Sequence, residues 1–335
     1  MRTILVTGGA GFIGANFIPY YLENNTDVEI VNIDALTYAG DLQNLKEIEN
    51  HDRYKFVKGD ICDRGLLEEL FLTYNFKGVI HFAAESHVDN SIKNPDAFVR
   101  TNVFGTFNLL DVAKKHWMDG PSLYKKEFIE ARFHHISTDE VYGTLGEEGL
   151  FTENTPYAPN SPYSASKASS DFFVRSYFHT YGMQVVTTNC SNNYGPKQHD
   201  EKLIPTIIRK AIAGEAIPIY GDGQNIRDWL YVLDHCKGIE LVYEKGISGE
   251  TYNIGGRNER KNLYIAHTIC ELLDEMKPKS TSYKEQIDFV KDRPGHDFRY
   301  AIDATKIEKD LGWEAEENFE SGIQKTITWY LNKYE

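Results

Sequence analysis

The chain has 335 residues, enough for one large enzyme-sized unit or two lobes but not for a string of modules. Apolar residues make up 41% and aromatic residues 13%, which supports a sizeable core and excludes a largely disordered chain. The formal net charge of −14 argues against a nucleic-acid polymer as partner, although a few arginines in a cleft can still receive a small anion.

Short apolar runs at residues 4–7, 29–33, 54–58, 78–82, 132–137 and 185–189 predict strands. Longer stretches at 13–24, 64–74, 98–116 and 161–181 predict helices between several of them. Strand–helix alternation at this spacing predicts an α/β fold: a doubly wound parallel sheet of the Rossmann kind. Residues 118–130, with the turn signal Asp119-Gly120-Pro121, read as a polar surface loop. Further on the pattern loosens around Tyr194-Gly195-Pro196, Tyr220-Gly221-Asp222-Gly223 and Gly255-Gly256. The chain is therefore divided into a domain over 1–190 and a smaller substrate-binding lobe over 191–335, partly interleaved with the first. Cys62, Cys190, Cys236 and Cys270 are scattered without a C-x-x-C pair, so neither a metal site nor a disulfide framework is expected. Reduced thiols, no signal peptide and no apolar run near ~18 residues predict a cytoplasmic protein without a membrane span.

The run Thr7-Gly8-Gly9-Ala10-Gly11-Phe12-Ile13-Gly14 follows a predicted strand and opens a predicted helix. Glycines 9, 11 and 14 fit G-x-G-x-x-G, and glycines 8, 11 and 14 fit G-x-x-G-x-x-G. Such glycines allow a tight turn, close approach to a pyrophosphate and helix–strand packing, while the helix N-terminus offers N–H groups to phosphate. Asp34 ends the strand at 29–33, twenty residues after Gly14. A carboxylate there bonds ribose hydroxyls and repels a 2′-phosphate, which favours NAD over NADP. Asp60, after the strand at 54–58, is placed to reach the adenine edge.

Tyr163 and Lys167 stand at i and i+4 in Tyr163-Ser164-Ala165-Ser166-Lys167, on one face of a helix. A nearby ammonium lowers a tyrosine's pKa and makes it a usable base. With the glycine loop upstream, this is the expected base of a redox enzyme.

These motifs resemble the extended short-chain dehydrogenase/reductase family, and within it the dTDP-glucose 4,6-dehydratases. The resemblance also rests on residues 34–40 (DALTYAG), 83–89 (AAESHVD), 137–143 (STDEVYG), 191–196 (SNNYGP), 227–229 (RDW) and 292–297 (DRPGHD), and covers nearly the whole chain. It implies dehydration of dTDP-glucose to dTDP-4-dehydro-6-deoxyglucose with tightly bound, recycled NAD, as in deoxysugar (for example rhamnose) nucleotide biosynthesis. By the same resemblance Tyr163 takes the proton of the 4-hydroxyl with Lys167 beside it, Thr138 bonds the 4-oxygen, Glu140 removes the C5 proton and Asp139 protonates the departing C6 hydroxyl. Phe12, Ile13, Asp34, Ala35, Leu36, Thr37, Asp60, Ile61, Phe82, Ala83, Ala84, Glu85, Ser86, Thr101 and Asn193 are implied on the NAD side.

Lys202, Arg227 and Arg293 are the cationic candidates for the diphosphate. Ser86, Asn192, Leu203, Pro218, Ile219, Tyr220, Asn262, Asp292 and His296 are implied in the nucleotide-sugar pocket. His87 is either a pocket residue or a packed core histidine. The resemblance further implies a homodimer in which the segments 98–116 and 161–181 of two copies form a four-helix bundle. The rivals are a UDP-glucose 4,6-dehydratase, a nucleotide-sugar 4-epimerase and an NAD-sensing regulator without catalysis. Thr138, Asp139, Glu140, Tyr163 and Lys167 together argue against the regulator.

Overall fold

The computed structural model describes residues 1–292 and 296–334. Seven parallel strands form the central sheet, in the order Thr251–Ile254, Val185–Cys190, Arg132–Thr138, Gly78–His81, Arg2–Thr7, Val28–Asp34, Tyr54–Lys58. The chain builds outward from Arg2–Thr7 to one edge, then crosses back to Gly78–His81 on its other side. That reversal opens a crevice at the carboxyl ends of these two strands, where open parallel sheets bind ligands.

Side chains of successive strand residues face opposite layers, so each strand feeds two cores. Leu5, Val79 and Phe133 pack with Leu67, Phe71, Leu109, Trp117 and Val174 of the helices on one face. Ile4, Val6, Ile80 and Ile136 pack with Phe17, Tyr21, Val232 and Ile239 on the other. A third core of Ile204, Ile208, Ile217, Ile269, Phe319 and Tyr330 lies in the C-terminal part of the chain. There Ile217–Tyr220 pairs with Ile287–Val290, and Ile226–Tyr231 pairs with Asn192–Tyr194, Glu259–Lys261 and Arg299–Tyr300. The strand Thr251–Ile254 returns from this part to the edge of the main sheet.

Two elements differ from the sequence reading. Residues 118–130 form a small hairpin, Met118–Gly120 with Leu123–Tyr124, followed by a 3-10 turn at Lys126–Phe128. Met118 and Phe128 are buried, and Trp117 Nε1 donates to the Phe76 carbonyl at 2.8 Å. Those apolar anchors dock the segment, while the Asp119–Ser122 turn that suggested a loop is the hairpin's tip. The helix expected over 98–116 starts earlier, at Pro95, and contains a π segment at Val99–Gly105 before continuing as Thr106–Trp117. Proline is suited to a first helical turn, and π segments carry no period a sequence reading can detect.

Candidate active site

The glycine loop sits at the crevice. Gly8 has φ +72°, and a Cβ on it would lie 2.5 Å from the Ala83 nitrogen, so no other residue fits. A Cβ on Gly14 would lie 2.7 Å from the Gly8 carbonyl, which is how the helix Phe12–Asn24 packs onto the strand before it. Gly11 caps that helix without a side-chain bond and leaves the N-terminal N–H groups facing the cleft. Gly8, Gly11 and Gly14 all line the cleft, whereas Gly9 turns inward and donates to Asn32 Oδ1 at 3.0 Å. The G-x-x-G-x-x-G alignment is therefore the one realised.

Asp34 ends its strand with Oδ2 accepting from the Ala10 nitrogen (2.9 Å) and Oδ1 from the Leu36 nitrogen (2.8 Å). Burial raises its pKa and these two bonds pull it back. Each carboxylate oxygen keeps acceptor capacity for a ribose hydroxyl. Leu36 is held at φ +53° and does not line the cleft. Ala35, Thr37, Asp60, Ile61, Phe82, Ala83, Ala84, Glu85, Ser86, Thr101 and Asn193 do, as do Phe12 and Ile13. This donor set, with its bare glycine floor, fits a dinucleotide.

The reacting end is built by two elements. The strand Arg132–Thr138 delivers Thr138 to the sheet's carboxyl edge, opposite Cys190. A 3-10 turn at Asp139–Tyr142 begins at once, with Thr138 Oγ1 accepting from the Glu140 nitrogen at 3.3 Å. The helix Pro162–Tyr181 starts from a capping box in which Ser161 and Ser164 exchange bonds of 3.0 and 3.1 Å, with proline in its first turn. Tyr163 is thereby fixed in the first turn and Lys167 one turn on. Thr138, Asp139, Glu140, Tyr163 and Lys167 all line a single cleft of about 320 Å³ together with the glycine loop.

Environment separates the two carboxyl groups. Asp139 is buried, and burial raises its pKa well above the usual carboxylate range, reinforced by the negative charges of Glu140 and Asp228. Its Oδ2 has no hydrogen-bond partner among the described residues, and Oδ1 accepts from Thr138 Oγ1 at 3.4 Å. A neutral acid beside a second carboxyl group is the arrangement for paired acid–base work. The expected depression of the tyrosine is not seen. Burial pushes the Tyr163 phenol well up, and Glu140 adds to this; the Thr138 hydroxyl opposes it. Lys167 is itself pushed below its ordinary value by burial, and its Nζ donates to the Ile136 carbonyl at 2.8 Å. Desolvation is the largest influence on both groups.

Of the residues implied for substrate, Ser86, Thr138, Asn192 and Lys202 line the cleft, with Lys202 Nζ donating to the Ser86 carbonyl at 3.0 Å. Leu203, Pro218, Ile219, Tyr220, Arg227, Asn262, Asp292 and His296 stand outside it. Ile219 is in the third core and Leu203 packs on it. Tyr220 reaches Asp89 Oδ2 at 3.5 Å and meets the His296 ring edge-on, while His296 Nδ1 lies 2.6 Å from Asp292. Arg227 is buried, donates to the carbonyls of Ile226, Asp297 and Phe298, and lies 4.3 Å over the Tyr300 ring. Asn262 opens the helix Asn262–Met276 with a buried Oδ1 that has no hydrogen-bond partner among the described residues. Arg293 lies outside the described residues. His87 is half-buried beside the cleft-lining Glu201. It caps the short helix Val88–Lys93 by accepting from the Asn90 nitrogen, and its Nε2 stands 3.7 Å from Glu201.

Several residues escaped the sequence reading. Asn102, in the π segment, bonds both the nitrogen and the carbonyl of Glu85 (2.8 and 3.0 Å) and donates to Ser166 Oγ (2.9 Å). It ties the loop at 82–86 to the helix of Tyr163. Cys190, Ser191, Gln198, His199 and Glu201 also line the cleft. For Cys190 the signal was available, since its strand ends level with Thr138; the others come from a turn with no periodic signature.

Known proteins match this arrangement from end to end. The model of the family described as GDP-mannose 4,6 dehydratase matches residues 5–326. The dTDP-glucose 4,6-dehydratase of Salmonella typhimurium is 55% identical, covering 98% of this chain and 92% of its own. The chain belongs to the dTDP-glucose 4,6-dehydratase family. A solved member from Bacillus anthracis, in complex with NAD, is 46% identical with a TM-score of 0.87, covering 99% of this chain and 97% of its own. Another dTDP-glucose 4,6-dehydratase, from Streptomyces venezuelae and also with NAD bound, gives 42% identity and a TM-score of 0.89 over the same shares.

Proposed function

We propose that the chain dehydrates dTDP-glucose to dTDP-4-dehydro-6-deoxyglucose, with NAD held on the loop from Gly8 to Gly14 and on Asp34. The observation that carries this is the buried Asp139, its pKa raised by burial, next to Glu140 and lining the same cleft as Tyr163. A 4-epimerase needs a hydroxyl and the Tyr163/Lys167 pair alone, whereas loss of water needs a further acid and a further base.

NAD held there would supply hydride chemistry, accepting the C4 hydrogen with its electron pair and giving the same hydride back at C6. The chain's own groups move the protons. Tyr163, in its phenolate form, takes the proton of the 4-hydroxyl while Thr138 Oγ1 hydrogen-bonds the 4-oxygen. A carbonyl at C4 acidifies the neighbouring C5–H, and Glu140 removes that proton. Asp139 gives its proton to the departing C6 hydroxyl, which leaves as water. Glu140 then returns a proton to C5. Lys202, Arg227 and Arg293 are proposed as the cationic partners of the diphosphate. We place the protein in the cytoplasm, on four cysteines that form no disulfide.

The test is incubation with dTDP-glucose and with UDP-glucose, followed by product mass. Loss of one water from the dTDP sugar is expected; unchanged mass with altered stereochemistry would mean an epimerase. The pair Asp139→Asn and Glu140→Gln should stall the reaction at the 4-keto sugar that still carries its 6-hydroxyl. Undiminished dehydration by that double variant would sink the assignment.

A further inference from the structure

We propose that Asp171 is a positioning residue for Lys167: it is the buried counter-charge that keeps the Lys167 ammonium in the cleft. This rests on the reading of Lys167 given above and adds a residue outside the catalytic set.

The argument starts from cost. Lys167 is buried, and the acceptor at its Nζ is the neutral Ile136 carbonyl. An ammonium removed from water is expensive unless an opposite charge stands near it. Asp171 follows one turn later on the same helix face. Its carboxylate is fully organised: Oδ2 accepts from Ser137 Oγ (2.8 Å) and Tyr157 OH (3.0 Å), and Oδ1 lies 3.0 Å from His135 Nε2. Two hydroxyl donors on one buried carboxylate favour its ionised form.

Both side chains leave the same face of the helix and meet the same strand, Lys167 at the Ile136 carbonyl and Asp171 at Ser137. Burial pushes both His135 and His81, whose rings are 5.4 Å apart, well below the usual imidazole range, so neither is a cation. Tyr163 on the same helix, Cys190 on the neighbouring strand, and Tyr157 and Tyr142 before the helix are all raised by burial and neutral near pH ~7. Burial also pushes Asp171 up, to about 6, against the opposing pull of Lys167, Ser137 and Tyr157. It is therefore ionised at neutral pH. Reciprocally, Asp171 is the principal charge that raises Lys167 against its own desolvation. Ser137 and Tyr157 thus act on the cleft through Asp171, from the strand that ends in Thr138 and from the loop before Tyr163.

The experiment is a cycle of Asp171→Asn, Lys167→Met and the double variant in the full-length protein. In Asp171→Asn the alkaline limb of kcat/KM should move to lower pH by about one unit, a tenfold change in proton affinity at Lys167. Its Tm should fall, because a buried cation loses its partner, and the double variant should recover most of that loss. An alkaline limb that stays in place under a uniformly lower rate would show Asp171 to be only a hydrogen-bonding scaffold and overturn the proposal. So would a double variant as unstable as Asp171→Asn, including the case in which neither folds. The Tm cycle needs no substrate, so its failure is distinct from a failure of the dehydratase reading, which wild-type turnover tests.

Discussion

Asp139 and Glu140 are adjacent in the chain, yet only Asp139 is sealed from water. A carboxyl group whose pKa is raised by folding binds its proton more tightly than in the unfolded chain. Its contribution favours the fold at low pH and is lost as pH climbs from the ordinary value of about 4 through the raised one. Burial and the charges of Glu140 and Asp228 set that direction for Asp139. Asp139→Asn removes the titration while keeping a similar shape. The Tm difference between Asp139→Asn and wild type should therefore move in the variant's favour between about pH 5 and about pH 8. Parallel melting curves across that range would show that Asp139 does not hold its proton. The same substitution should lower kcat by roughly 10²-fold or more, the scale of a lost general acid, with a smaller change in KM. Stability gained where activity is lost is the pattern of a site that stores an unfavourable charge arrangement for use.

The helix Pro162–Tyr181 converts a local sequence signal into site geometry. Ser161 caps it and Tyr163 follows within its first turn, so the cap positions the base. Ser161→Ala should cost about 1 kcal/mol in urea unfolding, as N-cap losses do, and should reduce kcat beyond what that loss of stability explains. Unchanged kcat with the expected stability loss would uncouple the cap from the base. This helix was legible because Ser161-Pro162 is a start signal and its Tyr163/Lys167 spacing matches the helical period. The glycine loop, Asp34 and the run Thr138-Asp139-Glu140 were legible for a related reason: the residues that act together are close in sequence. The π segment Val99–Gly105 was not. It places Thr101 in the cleft and Asn102 between Glu85 and Ser166, but an extra residue in one helical turn leaves no pattern. The hairpin at 118–124 was read as loop because its turn residues are conspicuous, while Met118 and Phe128, which dock the segment, are single apolar residues without a period.

At the scale of the whole molecule, a doubly wound parallel sheet follows from strand–helix alternation, but its seventh strand, Thr251–Ile254, and the outer surface of the 95–117 and 162–181 helices do not. Both helices pack on the sheet through one face, yet their other face is apolar too. Val99 is 56% exposed, Phe104 49%, Phe172 57% and Phe173 38%. Phe107 bridges them, with ring centroids 6.3 Å from Phe104 and 6.0 Å from Phe173. An apolar stripe along two adjacent helices is suited to contact with another apolar face. Two copies meeting there across a two-fold axis would form a four-helix bundle from the helices that carry Thr101 and Tyr163. Phe104→Glu with Phe173→Glu should place like charges at the pairing face and give a monomer by sedimentation at micromolar concentration. If two copies pair through this stripe, turnover by the variant should fall with the loss of that pairing. Wild-type protein that sediments as a monomer at that concentration would refute the dimer, and a fully active monomeric variant would separate assembly from catalysis.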